Sequence, residues 1–193
     1  MRISIAALAC GGALAMAACG QSGQQTAAQG ADSCARTASH TVGWSSEAAP
    51  DVVTARAEGP SCGQAVVTLV VRGSEGDPLW TFASPYYDMT AGGRGPEPLP
   101  QVSAEEMDRF LDGWSNVTIN RSGELPEWRE GAASLAESVE GASYHTEFER
   151  ETYESLRARD LPQLCFAAGA EASHCLVMDP LSHSATVIVA YGP

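Results

Sequence analysis

Cysteine is the residue type in this chain with the widest range of chemistry open to it. There are six, at Cys10, Cys19, Cys34, Cys62, Cys165 and Cys175. A cysteine can accept a lipid, pair in a disulfide or, as a thiolate, bind zinc. Disulfides persist only where the environment is oxidising. The compartment, and therefore the N-terminal targeting region, decides which chemistry applies.

An apolar run follows directly after Arg2. Residues 3–18 are 16 apolar or small residues without a charge. One positive charge, a short apolar run and small residues near its end are typical of an export signal. A membrane-spanning helix needs about 20 apolar residues, and Gly11-Gly12 interrupts this run. The segment therefore predicts export and not a permanent membrane helix.

The end of this run resembles the lipobox of bacterial lipoproteins. In that family an aliphatic residue and two small residues precede a cysteine that receives diacylglycerol. The matching residues here are Met16-Ala17-Ala18-Cys19, with Met in place of the usual Leu. The resemblance implies a signal peptide over residues 1–18 and an acyl anchor, including palmitate, on Cys19. It covers only this region and implies nothing about the folded domain.

The residues after Cys19 indicate in which membrane the protein would be anchored. Gly20 stands where enteric lipoproteins retained at the inner membrane have Asp. The resemblance therefore implies a lipid-anchored protein of the outer membrane that faces the periplasm. Residues 20–33 lack apolar periodicity, so 19–33 are expected to be the lipidated cysteine and a flexible tether. Ordinary cleavage after Ala15-Met16-Ala17 is the alternative, and it would leave a secreted or free periplasmic protein.

Four cysteines remain once Cys10 leaves with the signal and Cys19 carries lipid. An even number in an oxidising compartment predicts two disulfides, for which four cysteines allow three connectivities. We favour Cys34–Cys62 and Cys165–Cys175 because each pair is local. The second pair also lies directly opposite across a predicted hairpin, where Cβ atoms are about 4.5–5.5 Å apart.

The charge balance excludes one class of partner. The formal net charge is −13, and the loss of Arg2 with the signal would take it to −14. All 11 basic residues are Arg. Nucleic-acid binding needs a basic face that neutralises phosphates, so we expect no nucleic-acid partner. Attachment to the membrane would depend on the acyl anchor.

The other titratable residues form no recognised catalytic motif. The histidines, His40, His145, His174 and His183, do not have the spacing of a zinc site. The acidic clusters fall in predicted first turns of helices, where the helix dipole favours them. We expect no metal, no cofactor, and binding or interaction in place of catalysis. The alternatives are a periplasmic hydrolase with a site assembled from scattered residues, and a secreted inhibitor-like domain.

Residues 84–101 contain the candidate binding groups. The segment is rich in Pro and Gly and is predicted to be a long loop. Loops of about 15 or more residues are often functional. Tyr86, Tyr87, Asp88 and Arg94 are therefore candidate contacts for an envelope protein or a small ligand. In the alternative functions this segment would be a lid or an inhibitory loop.

Hydrophobic patterning predicts strands in the first part of the domain. Residues 64–72, which are rich in Val, and residues 79–84 predict a hairpin. The near-continuous apolarity of the first run predicts a strand that is covered on both faces. Shorter strands are predicted over 41–45 and 51–57.

Capping boxes predict two helices in the middle of the chain. Ser103 and Glu106 begin a helix to about residue 112, and Thr146 and Glu149 begin one to about residue 159. Pro126 predicts a further short helix to about residue 138.

Three strands close the chain, over 163–167, 174–178 and 185–191. Strands, then helices, then strands predict an α+β fold, a mostly antiparallel sheet with two capped helices in one domain over 34–193. The last three strands are expected to join the first hairpin in one sheet, with both capped helices on one face.

Overall fold

The computed structural model describes residues 33–46, 48–91, 101–138, 143–179, 181–182 and 184–192. The predicted signal peptide, Cys19 and the tether up to residue 32 lie outside this part of the chain. The described chain has an α+β fold with two antiparallel sheets, which confirms the predicted class. Within these ranges, no helix combines the length and apolarity that a bilayer crossing requires.

The first sheet consists of four consecutive antiparallel strands. They are β1 (Cys34–Val42), β2 (Asp51–Gly59), β3 (Val66–Arg72) and β4 (Pro78–Pro85), in that spatial order. The β3–β4 hairpin confirms the strongest local prediction. Val67, Leu69 and Val71 are fully buried, whereas the alternate residue Val66 is 50% exposed. The prediction that β3 is covered on both faces is wrong, because the alternate residues of β3 are exposed or half-buried among the described elements.

The first strand begins at Cys34 and not at Thr41 as predicted. Its inward positions include Arg36 and His40, which hide the apolar alternation that identifies a strand. Both side chains are tied to a helix, Arg36 to Asp108 and His40 to Asp112. These contacts with carboxylates of a distant helix accommodate the two polar side chains at inward positions of β1.

The second sheet has five strands in the order β5-β7-β8-β9-β6. Their bounds are β5 (Thr118–Arg121), β6 (Ser143–His145), β7 (Pro162–Ala167), β8 (Ser173–Asp179) and β9 (Ser184–Gly192). The last three match the predicted meander, and the two short edge strands were not predicted. The expectation of one common sheet is wrong. The sheets meet through side chains, with the rings of Phe82 and Phe166 5.3 Å apart between centroids.

Three helices connect the strands: α1 (Tyr86–Thr90), α2 (Ala104–Ser115) and α3 (Arg150–Ala158). The capping box of α2 is formed. The Glu106 N–H donates to Ser103 Oγ at 3.2 Å, and the Ser103 N–H donates to Glu106 Oε2 at 2.8 Å. This helix buries Met107 and Leu111 completely and packs on β1 and β2.

Two predicted helical features are absent from the described chain. The capping box at Thr146 does not form, and α3 begins at Arg150. The Thr146 hydroxyl donates to the Ile188 carbonyl at 2.7 Å and accepts the Phe148 N–H at 3.3 Å. The helix predicted over 126–138 is reduced to a 3-10 turn over Ala136–Ser138. Gly131, with φ of 82°, places a left-handed residue inside that segment, which interrupts a right-handed helix.

The second sheet is the middle layer of the fold. One of its faces, with Leu164 and Leu176, packs against the first sheet and α2. The opposite face, with Val177 and Ile188, packs against Tyr153 of α3. Successive residues of a strand point to opposite faces, so this sheet supplies both cores.

Both favoured disulfides are present. Cys34–Cys62 joins the start of β1 to the turn that follows β2. Cys165–Cys175 links β7 to β8 at directly opposite positions, as the hairpin register predicted. The four cysteines of the described domain are therefore all oxidised.

Candidate functional site

The four residues predicted to bind a partner do not form a single site in the described chain. Tyr86, Tyr87 and Asp88 lie in α1 and not in an irregular loop, and Arg94 lies outside the described residues. Tyr86 is a packing residue whose ring meets Phe110 edge to face, with centroids 4.9 Å apart. Burial, and then the nearby carboxylate of Glu106, raises the pKa of the Tyr86 phenol.

Asp88 is the one of these residues that lines a described concave region. It is exposed and borders an open groove of about 480 Å³ together with His145 and Glu171. Residues of the β7–β8 turn and of β9 also line the groove. The structure thus places Asp88 beside the β7–β8 turn, at one end of the second sheet.

A deeper cleft, here called the α3 cleft, lies between α3 and the β8–β9 hairpin. Its volume is about 460 Å³, within the range of about 300–1,000 Å³ that is usual for ligand pockets. The helix side comprises Phe148, Glu151, Thr152, Ser155, Leu156 and Arg159; the hairpin side comprises Asp179, Leu181, Ser182, Ser184, Ala185 and Thr186.

Asp179 shapes the hairpin side of the α3 cleft. Its carboxylate accepts the Leu181 N–H at 3.0 Å and the Ser182 hydroxyl at 2.8 Å. These hydrogen bonds, that from the Leu181 backbone first, lower the pKa of Asp179. The turn leaves the Leu181 side chain 81% exposed at the edge of the cleft. The cleft therefore combines an exposed apolar group with a rim of hydroxyls.

The chemistry of the α3 cleft suits an amphiphilic ligand. Phe148, Leu156 and Leu181 offer apolar surface, and five Ser or Thr residues offer hydroxyl groups. Arg159 is the one cation among the described lining residues. Apolar walls with a few polar groups that fix orientation are typical of small-molecule sites.

A smaller pocket, here called the Gln163 pocket, lies on the α3-facing side of the second sheet. Its volume is about 150 Å³. All five strands of the sheet contribute to it. It is lined by Asn120, Glu124, Leu125, Pro126, Tyr144, Gln163, Cys165, Cys175 and Tyr191.

Strand register places these side chains on one face. Asn120 lies directly opposite Gln163, and Tyr144 lies directly opposite Tyr191. The two tyrosine rings stack with centroids 5.3 Å apart and planes 25° apart. The short edge strands β5 and β6 therefore contribute Asn120 and Tyr144 to this pocket.

Gln163 is the unusual residue of this pocket. It is 2% exposed, and its Nε2 has no hydrogen-bond partner among the described groups. An unpaired buried donor costs about 1–3 kcal/mol. Sequence reasoning missed Gln163. The available signal was a polar residue at a core-facing position beside Cys165, inside an otherwise apolar strand.

The described histidines and cysteines do not form a metal centre. No group of three or more His, Cys, Asp or Glu residues among the described positions could hold a metal ion. His40 contacts Asp112 at 3.0 Å. His174 packs against the rings of Phe82 and Phe166, and this burial lowers its pKa. His183 lies outside the described residues.

Comparisons with protein-family models, with curated proteins and with solved structures find no match to this chain.

Proposed function

We propose that this protein is a lipoprotein of the cell envelope, held on the outer membrane through Cys19, whose periplasm-facing domain binds a small amphiphilic ligand. The observation that carries the proposal is the pairing of the cysteines. With Cys10 and Cys19 assigned to the signal and the anchor, the other four form two disulfides. Structural disulfides are typical of exported proteins, which agrees with the lipobox resemblance.

The α3 cleft supports the binding half of the proposal. It has the volume of a ligand pocket and places apolar Phe148 and Leu181 beside hydroxyl groups and Arg159. An amphiphile with an anionic head would place its apolar part against Phe148 and Leu181. Its head would lie toward Arg159 and away from the carboxylates of Glu151 and Asp179, since opposite charges attract and like charges repel across a partly solvated surface.

The anchor is tested by the intact mass of the mature protein from a bacterial host. We expect a chain that begins at Cys19 and carries the mass of a diacylglycerol and one further acyl chain. Substitution Cys19→Ser should abolish the acyl mass and release the protein from the membrane fraction. A wild-type chain that starts at Cys19 without acyl mass would remove the anchor, and an unlipidated secreted chain would favour the inhibitor alternative.

Binding in the α3 cleft is tested with the anionic amphiphile 1-anilinonaphthalene-8-sulfonate as a fluorescent probe. Leu181→Ser should weaken probe affinity several-fold, because it removes an exposed apolar wall. Arg159→Gln should do the same by removing the cation. Val66→Ser is the matched control, because Val66 is also an exposed apolar residue but lies on the first sheet. Equal affinity of wild type and both cleft variants would refute the site.

A further inference from the structure

The Gln163 pocket contains five polar side chains that have no hydrogen-bond or ion-pair partner among the described residues. They are Asn120, Glu124, Tyr144, Gln163 and Tyr191. None of these side chains makes a hydrogen bond or ion pair with another group in the described part of the chain. Buried polar side chains in proteins normally have a hydrogen-bond partner. Of the five, Gln163 is buried, Asn120, Tyr144 and Tyr191 are half-buried, and Glu124 is exposed. The unpaired buried amide of Gln163, in a pocket lined by the four other polar groups, indicates that the pocket receives a partner from outside the protein.

Gln163 makes the strongest case within this group. It occupies a core-facing position of β7 and is 2% exposed. A Met side chain has a similar volume and would fill the same space without an unpaired donor. Directly opposite, Asn120 presents a second carboxamide to the same pocket. The pair therefore offers donors and acceptors that the fold itself does not use.

The charges of the pocket define what it can accept. Glu124 supplies one negative charge, and no Arg or His is among the described lining residues. The faces of aromatic rings attract cations, and Tyr144 and Tyr191 add two such rings. An anion would meet Glu124 without a compensating positive group. The pocket is therefore suited to a cation.

The hydrogen-bonding groups and the volume of the pocket indicate the functional groups and the size of the ligand. A primary ammonium has three donors, which the carboxylate of Glu124 and the amide and phenol oxygens can accept. The unpaired Nε2 of Gln163 needs an acceptor on the ligand. A cavity of about 150 Å³ holds a molecule the size of benzene, that is about six heavy atoms.

We propose that the Gln163 pocket binds a small primary ammonium compound that carries a neighbouring hydroxyl or amide, that is, an amino alcohol or amino amide. The ammonium lies toward Glu124 and the tyrosine rings, and the neighbouring oxygen accepts from Gln163 Nε2. The pocket shares no lining residue with the α3 cleft. The two sites can therefore fail or succeed independently.

The test is a nuclear magnetic resonance titration of the mature chain with both disulfides intact, using probes of similar size and different charge. Ethanolamine should shift the amide resonances of β7 and β9 saturably, with a dissociation constant in the millimolar range. Ethylene glycol, which lacks the charge, and glycolate, which reverses it, should bind at least about tenfold more weakly.

Substitutions of Glu124 and Gln163 test whether these residues contact the ligand. Glu124→Gln should weaken ethanolamine binding about tenfold, whereas the matched exposed variant Glu75→Gln should leave binding unchanged. Gln163→Met should weaken it about fivefold and raise the melting temperature, so lost binding cannot be attributed to unfolding. No saturable shift up to about 50 mM ethanolamine, equal affinity for glycolate, or full binding by both pocket variants would overturn the proposal.

Discussion

Arg36 in β1 donates two hydrogen bonds to the carboxylate of Asp108 in α2, one of them from Nε to Oδ1 at 2.8 Å. The two residues are 72 positions apart in the sequence. This ion pair, with the contact between His40 and Asp112 one helical turn later, aligns α2 along the edge of the first sheet.

The ion pair predicts a pH dependence of stability. The hydrogen bonds from Arg36 lower the pKa of Asp108. The pair therefore stabilises the fold above the unfolded carboxyl pKa of about 3.9 and loses this effect as pH falls through the lower folded value. Asp108→Asn should reduce the melting temperature at pH 7. The difference from wild type should vanish at strongly acidic pH, as followed by circular dichroism.

Arg36 and Asp108 are both partly exposed. The difference in melting temperature between wild type and Asp108→Asn at pH 7 should therefore also shrink in about 1 M salt. Asp77→Asn, an exposed carboxylate in the β3–β4 turn, serves as the control and should leave the melting temperature at pH 7 nearly unchanged. A reduction of the same size at neutral and acidic pH would contradict a role for the ionised pair.

Among the described carboxylates, Asp51 is the one whose substitution is predicted to reduce stability most. It is fully buried and accepts the Trp44 N–H at 3.1 Å, the Ser45 N–H at 2.7 Å and the Ser45 hydroxyl at 2.5 Å. Asp51→Ala would leave these donors unpaired. It should lower the free energy of unfolding by about 2–4 kcal/mol, as measured by urea denaturation. The exposed Asp77→Ala should change it by less than about 0.5 kcal/mol.

The two disulfides should contribute unequally to the free energy of unfolding. Cys34–Cys62 closes a sequence separation of 28 residues and Cys165–Cys175 one of 10 residues. Chain entropy predicts a loss of about 3.6 kcal/mol for removing the first and about 2.8 kcal/mol for removing the second. Paired Cys→Ala variants compared by chemical denaturation would test this order, and the reverse order would show that packing near β7 outweighs chain entropy.

Gln163→Met should stabilise the protein in the absence of ligand. It removes an unpaired buried donor from β7, so the free energy of unfolding should rise by about 1 kcal/mol. Gln64→Met is the comparison, because Gln64 is exposed and bonded to Ser61 at 3.1 Å. A destabilised Gln163→Met would mean that an ordered water or another group pairs with the amide.

Features that depend on neighbouring residues were predictable. The β3–β4 hairpin, the capping box at Ser103 and the opposition of Cys165 and Cys175 follow from alternation, short turns and register. In each case the interacting groups are close in the chain, so few conformations compete with the observed one.

Features in which a distant group competes for the backbone were not predictable. The Thr146 hydroxyl bonds to Ile188 of β9 in place of capping a helix. Around Trp128, the backbone N–H donates to Glu154 of α3 at 2.6 Å, in a segment that was predicted to be helical. Local patterns do not contain these partners.

The sequence by itself determined the α+β class and the two local disulfides, because both depend on composition or on short-range spacing. The export signal stays a prediction from the sequence. Only the tertiary structure decided that the strands divide into two sheets. It also decided that α3 and the β8–β9 hairpin enclose a cleft, and that Asn120, Tyr144, Gln163 and Tyr191 converge on one pocket. These outcomes depend on which distant faces bury each other, and the same apolar alternation is compatible with several such pairings.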